Sequence, residues 1–262
     1  MANPLFYGNI VPLGTSAHRD LRMRTPARPF GFAAEANLIP ALLEEFGAAA
    51  PHMPIAFLPN ADRPAAVFVT GLKPGRNLFV DADGRWTAGY VPAYVRRYPF
   101  IMGDVPAGDP ILCIDSGYEG FGTAEGELLL EADGKPGALL GKALALAENY
   151  RQSAPRSEAF CAALQKLGLF RTVTLDARPP GGESTVVHGL MVVDEQAFNA
   201  LDAEALRDLH AQRFLRPIFE HLVSLAAMAQ LSNVLTAAPP DGGPSGEAPA
   251  GEAAPAKARP RR

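Results

Sequence analysis

Eight prolines in the first sixty residues, Pro4, Pro12, Pro26, Pro29, Pro40, Pro51, Pro54 and Pro59, restrict this chain more than any other feature. Each lacks a backbone N–H and fixes its own φ, so long helices and central strands are disfavoured there and short strands joined by turns are expected. One exception is expected: Asn37 to Phe46 reads as a helix begun by Pro40, with Glu44 and Glu45 facing water and Gly47 ending it. Pro54–Leu58 and Ala65–Leu72 then read as short buried strands across the turn signal Asn60-Ala-Asp-Arg-Pro64. Asn77–Asp81 reads as a third strand, which Ala82-Asp-Gly84 returns as a hairpin into Trp86.

The stretch from Trp86 to Phe100 gathers the single tryptophan, Tyr90, Tyr94, Tyr98 and the pair Arg96-Arg97. Pro92 suits a first helical turn and Pro99 cannot continue one, so a two-turn helix lies between them. Arg96 and Arg97 fall in its last turn, where cations oppose the helix dipole and guanidinium planes stack on rings. The segment reads as a half-buried helix end able to bind an anion. A structural ion pair with Asp104 or Asp115 is the competing use of the arginines.

Beyond it, Ile111–Asp115 and Gly126–Glu131 are strand candidates around the glycine-rich loop Asp115–Gly122. That loop lacks dinucleotide spacing and a Walker-type Gly-Lys-Ser/Thr, and reads as a strand connection. Helices are expected from Gly137 to Arg151 and from Pro155 to Leu167, the second stopped by Gly168. Arg171–Asp176 and Thr185–Val193 pair as strands through a Pro- and Gly-rich loop. Asp194 and Asp202 cap two short helices, and Pro217 begins the longest helix, running to about Leu235. From Ala237 the Ala, Pro, Gly and Glu composition predicts a disordered tail over 237–262. The sum is an α+β fold, one intertwined domain over 1–236 with helices toward its C-terminal end.

At 262 residues and 48% apolar content the chain can bury a substantial core. Lys plus Arg total 24 against 28 acidic residues, a net charge of −4 that disfavours nucleic acid as a partner. No run reaches the roughly 18 apolar residues of a membrane span, and no N-terminal leader is apparent, which makes the cytoplasm the default location with surface export left open. Cys113 and Cys161 sit in apolar runs, as buried thiols in a reducing compartment do. His18-Arg-Asp20 has the spacing of two facial-triad iron ligands, with His188 as a distant third, but residues 10–25 lack the strand pattern such a frame needs. His221 and Ser224, one helical turn apart, have no nucleophile elbow and read as a polar notch in a packed helix. His52 and His210 lie in stretches that suggest no chemistry. No metal or cofactor is expected.

The run Trp86-Thr-Ala-Gly-Tyr-Val-Pro-Ala-Tyr-Val-Arg-Arg-Tyr-Pro-Phe100 resembles the signature of the bacterial SapC family. Val11-Pro-Leu13 with His18 downstream, Pro54-Ile-Ala-Phe57, Ile114-Asp115, Gly189–Glu195 and His221–Leu225 are similar to family segments in the same order, over residues 4 to 236. The family takes its name from a surface-layer gene cluster, and its resemblance carries no catalytic or cofactor residue across. It implies a binding or accessory protein whose partner belongs to the cell surface or to outer-membrane uptake. The alternative is an enzyme whose Tyr-Arg-Arg-Tyr segment holds an anionic substrate while His18, His188 or His221 moves a proton. Candidate ligand contacts are Trp86, Tyr90, Tyr94, Arg96, Arg97 and Asp115.

Overall fold

The computed structural model describes residues 3–59, 63–105, 108–177, 185–228 and 231, excluding the side chains of 175–177 and 185–187. The turn at 60–62, the connection at 178–184 and the tail lie outside the described residues. In chain order the elements are β1 (Ile10–Pro12), β2 (Arg22–Met23), β3 (Leu38–Pro40), α1 (Phe46–Ala49), β4 (Ile55–Leu58), β5 (Ala65–Val69), α2 (Ala93–Arg96), β6 (Phe100–Gly103) and β7 (Ile111–Asp115). They continue with β8 (Phe121–Gly122), β9 (Glu127–Leu128), α3 (Ala138–Lys166), β10 (Phe170–Ala177), β11 (Thr185–Val193), α4 (Glu195–Asn199), α5 (Ala203–Ala211) and α6 (Leu215–Ser224). The strands form a five-stranded sheet β10-β11-β4-β5-β3 and two three-stranded sheets, β1-β7-β6 and β8-β2-β9, with antiparallel pairing throughout. The fold is α+β, with its helices concentrated toward the C-terminal end.

α3 links the sheets. At 29 residues it is about 43 Å long, so it reaches both the five-stranded sheet and the β1-β7-β6 sheet. Leu140, near its start, packs with Phe100, Ile114, Leu129 and Leu130; Phe160, Cys161 and Leu164, near its end, enter the main core with Phe46, Phe57, Phe68 and Ile218. The two helices expected around Pro155 are thus one, with Pro155 inside it. A mid-helix proline destabilises by about 3 kcal/mol, but side chains buried on both sides of the break outweigh that. Ser157 also helps to fix this stretch, its Oγ accepting from Leu43 N at 2.8 Å.

Three further expectations are corrected. The helix expected from Asn37 is instead β3, paired Ile39↔Phe68, followed by a 3₁₀ turn Leu43–Glu45 and the single turn α1. Pro40 is accommodated because β3 is an edge strand, where no donor is needed on the outer side. Asn77–Asp81 forms only an isolated bridge, Val80↔Trp86, around a turn closed by Gly84 at φ +72°. α6 begins at Leu215, before Pro217, and ends at Ser224, shorter than α3; after a turn the chain is helical again at Ala227, Met228 and Leu231, and the rest of the run to Leu235 lies outside the described residues. The Ser224 hydroxyl donates to His221 O at 2.6 Å and accepts from Ile55 N at 3.0 Å. The β10–β11 pair and the Asp194 and Asp202 caps stand as expected.

His221 is fully buried against the Phe57 ring, and its Nε2 accepts from Val193 N at 3.0 Å. Burial drives its pKa down to about 4 from an ordinary 6.5. The folded state therefore holds this imidazole neutral, and stability is fully present above pH 6.5 and is lost as pH falls toward 4, by up to about 3 kcal/mol. The urea midpoint should fall over that window and fall less in His221→Gln, whose amide oxygen keeps an acceptor for Val193. An equal acid slope in both proteins would refute the assignment.

Candidate functional site

The segment around α2 is anchored by a carboxylate that the sequence suggests faces water. Glu45 is 6% exposed. Its Oε1 accepts from Ala93 N at 2.6 Å and Tyr90 Oη at 2.8 Å, and its Oε2 accepts from Leu42 N at 3.1 Å. Burial pushes the Glu45 pKa up against these hydrogen bonds. Burial, together with the Glu45 charge, pushes the Tyr90 phenol up to about 12. Trp86 Nε1 donates to Tyr90 O at 2.7 Å, and its ring lies between Phe30 and Phe79. Because that ring is half-buried, Trp86→Ala is expected to lower stability by about 2–3 kcal/mol, below the full-burial range for large aromatics. Thermal melts measure it.

The two arginines diverge. Arg96 stays exposed, donating from Nε to Val91 O at 2.9 Å and from Nη2 to Tyr90 Oη at 3.4 Å. Arg97 is 8% exposed, its guanidinium 4.2 Å from the Tyr94 ring centre, 4.1 Å from that of Tyr150 and 5.8 Å from that of Tyr7. The expected ion pair with Asp104 or Asp115 does not form among the described residues. Asp115 is committed elsewhere: it accepts from Gly8 N, Asn9 N, Gly117 N and Tyr98 Oη. Burial alone would raise its pKa, but these four donors together hold it below the usual carboxylate range. Tyr94 Oη donates to Leu5 O, so this residue and Asp115 both fasten the N-terminal strand region to the α2 segment.

The candidate contacts therefore fall into three neighbourhoods: Trp86, Tyr90 and Arg96 on the Glu45 side, Tyr94 and Arg97 at Tyr150, and Asp115 at residues 8–9. Arg96 borders a hollow of about 440 Å³ with Tyr98, Glu127 and Lys142, which neither a histidine nor Asp115 lines. His18 Nδ1 accepts from Gly14 N within its own turn, and His188 lies beside Thr174 on β11. No group of three metal-ligating side chains occurs among the described residues.

A hollow of about 700 Å³ lies where α1, α3, α5 and α6 meet and escapes sequence reasoning because its walls come from three stretches far apart in the chain, residues 43–48, 156 and 210–220. Arg156, His210, Arg213 and Arg216 line it with Glu44 and Glu220. Arg156 pairs with Glu44 at 3.6 Å and Arg216 with Glu220 at 2.6 Å. An adjoining groove of about 470 Å³ runs along α6 past Ala50, Pro51, Phe219 and Val223. Phe219 and Val223, one turn apart, are 54% and 65% exposed, the most exposed large apolar side chains among the described residues. No helix among those residues is long and apolar enough to cross a membrane.

No curated protein and no solved structure matches this chain. The family model SapC matches residues 13–231, a span that holds the Trp86–Phe100 segment, its Glu45 anchor and the whole α6 surface. The chain belongs to the SapC family.

Proposed function

We propose that this protein is a binding or accessory protein of bacterial cell-surface or outer-membrane uptake systems, and that it receives its client on the α1–α6 face. The family membership supports the surface connection by association. The observation that carries the reading is the exposed pair Phe219 and Val223 beside an open groove. Adjacent exposed apolar side chains of this size beside a groove suit an interaction surface, and burying the part of each that remains exposed contributes about 1–2 kcal/mol. In this reading Trp86, Tyr90, Tyr94, Arg97 and Asp115 hold the fold, and client contact is made elsewhere.

The test is a photoreactive side chain placed at position 223, with a second at position 142 on another face as the reference. In native cell extract, position 223 should label one surface or outer-membrane component that position 142 does not, and Phe219→Ser should weaken the labelling. Equal labelling from both positions, or labelling indifferent to Phe219, would remove the proposal.

A further inference from the structure

The hollow and the groove are one continuous surface with two chemistries. Gly47, Arg216 and Glu220 line both. A Cβ on Gly47 would stand 2.6 Å from Glu220 Oε1 and 3.1 Å from Arg216 Nη2, so the missing side chain is what lets this ion pair lie against α1. On one side of the pair the surface is apolar, with Phe219 and Val223; on the other it is cationic.

Charge in the hollow is unevenly answered. Its two carboxylates, Glu44 and Glu220, are taken by Arg156 and Arg216. Arg213 is exposed and forms no ion pair among the described residues, and His210 lines the same hollow. The hollow therefore keeps a positive excess on a chain whose net charge is −4. Arg213 also stands at φ +58°, directly after α5, where the left-handed backbone favours glycine. An arginine occupies a position where glycine would relax the backbone. Guanidinium groups bind carboxylates through paired N–H donors, with a geometry ammonium groups lack.

Resting on the reading of the α1–α6 face as the client surface, we propose that the client is an acidic peptide segment. Its carboxylates enter the hollow at Arg213, and its apolar side chains lie along the groove over Phe219 and Val223. A lone small anion would fill only the cationic part of this surface and leave the apolar strip uncovered. Charge complementarity and the continuity of the two hollows select the peptide.

Fluorescence anisotropy of the full chain with a labelled helical peptide of leucine and glutamate tests this, with leucine–glutamine and leucine–lysine peptides as counterparts. The glutamate peptide should bind at least about 10-fold more tightly than the glutamine one, a difference of about 1.4 kcal/mol. Arg213→Glu should remove most of that preference. Arg213→Gly should weaken binding about 3- to 10-fold while melting no lower than wild type, since glycine suits the backbone there. Equal affinity for the glutamate and glutamine peptides, or indifference to both Arg213 variants, would overturn the proposal. So would full competition by millimolar citrate or phosphate with no effect of Phe219→Ser, which would mark a small-anion site. If the glutamate preference is absent while Phe219→Ser still abolishes labelling from position 223, the client surface stands and only its acidic character falls. If Phe219→Ser changes neither measurement, both fall.

Discussion

Arg97→Ala should lower stability by about 3–5 kcal/mol and the melting temperature by roughly 10 °C or more. The guanidinium fills the space between the Tyr94 and Tyr150 rings and reaches the Tyr7 ring, so its removal opens a cavity shared by the N-terminal segment, α2 and α3. Three ring faces provide the electrostatic compensation that a carboxylate would otherwise supply. Arg97→Lys should recover less than half of the loss, because an ammonium group cannot stack as a plane between two rings. Thermal and urea unfolding of both variants measure this. A loss under about 1 kcal/mol for the alanine variant would mean that the cage is a surface ornament.

Glu45→Ala comes next, at about 3–4 kcal/mol, since it strands the Ala93 and Leu42 amides and the Tyr90 hydroxyl in a buried setting. Glu45→Gln should lose about 1–2 kcal/mol, because its amide nitrogen would meet the Leu42 amide donor to donor. The pH response runs opposite to that of His221. The folded pKa of Glu45 lies above its unfolded value, so its ionised form is disfavoured in the folded protein. Acidification through that raised pKa adds stability, and raising the pH through it removes stability. Glu45→Gln should therefore show a steeper loss on acidification than wild type, and a slope unchanged from wild type would contradict the burial of the charge.

Boundaries governed by neighbouring residues were legible in the sequence. Pro92 and Pro99 bracket α2, although it has a single turn, and Asp194 and Asp202 cap the helices that follow them. The pairing of β10 with β11 follows from two β-branched runs on either side of a turn signal. What was not legible depends on residues far away in sequence. Glu45 lies beside Glu44 in an apparently amphipathic run, and only Ala93 and Tyr90, more than forty residues on, turn it inward. The aromatic partners of Arg97 include Tyr7 and Tyr150, which no local pattern connects. Pro155 signals a helix start by local rules, yet packing on two sheets carries α3 through it. The hollow exists only once α3 brings Arg156 against Glu44 and α6.

The hydrogen bond from Ile55 N to Ser224 Oγ sets an order of events during synthesis. Its partners are 169 residues apart in sequence, and Ile55 belongs to β4 in the middle of the main sheet. At about 5–20 residues per second the ribosome delivers Ser224 roughly 10–30 s after Ile55. The Val193 amide likewise awaits His221. During that interval β4 and β5 have emerged without the helix that closes over them, and their apolar faces remain available to other chains. A messenger truncated before the codon for Ser224 would leave the Ile55 amide without its acceptor and the faces of β4 and β5 without α6, and its product is expected to aggregate rather than fold as a smaller protein.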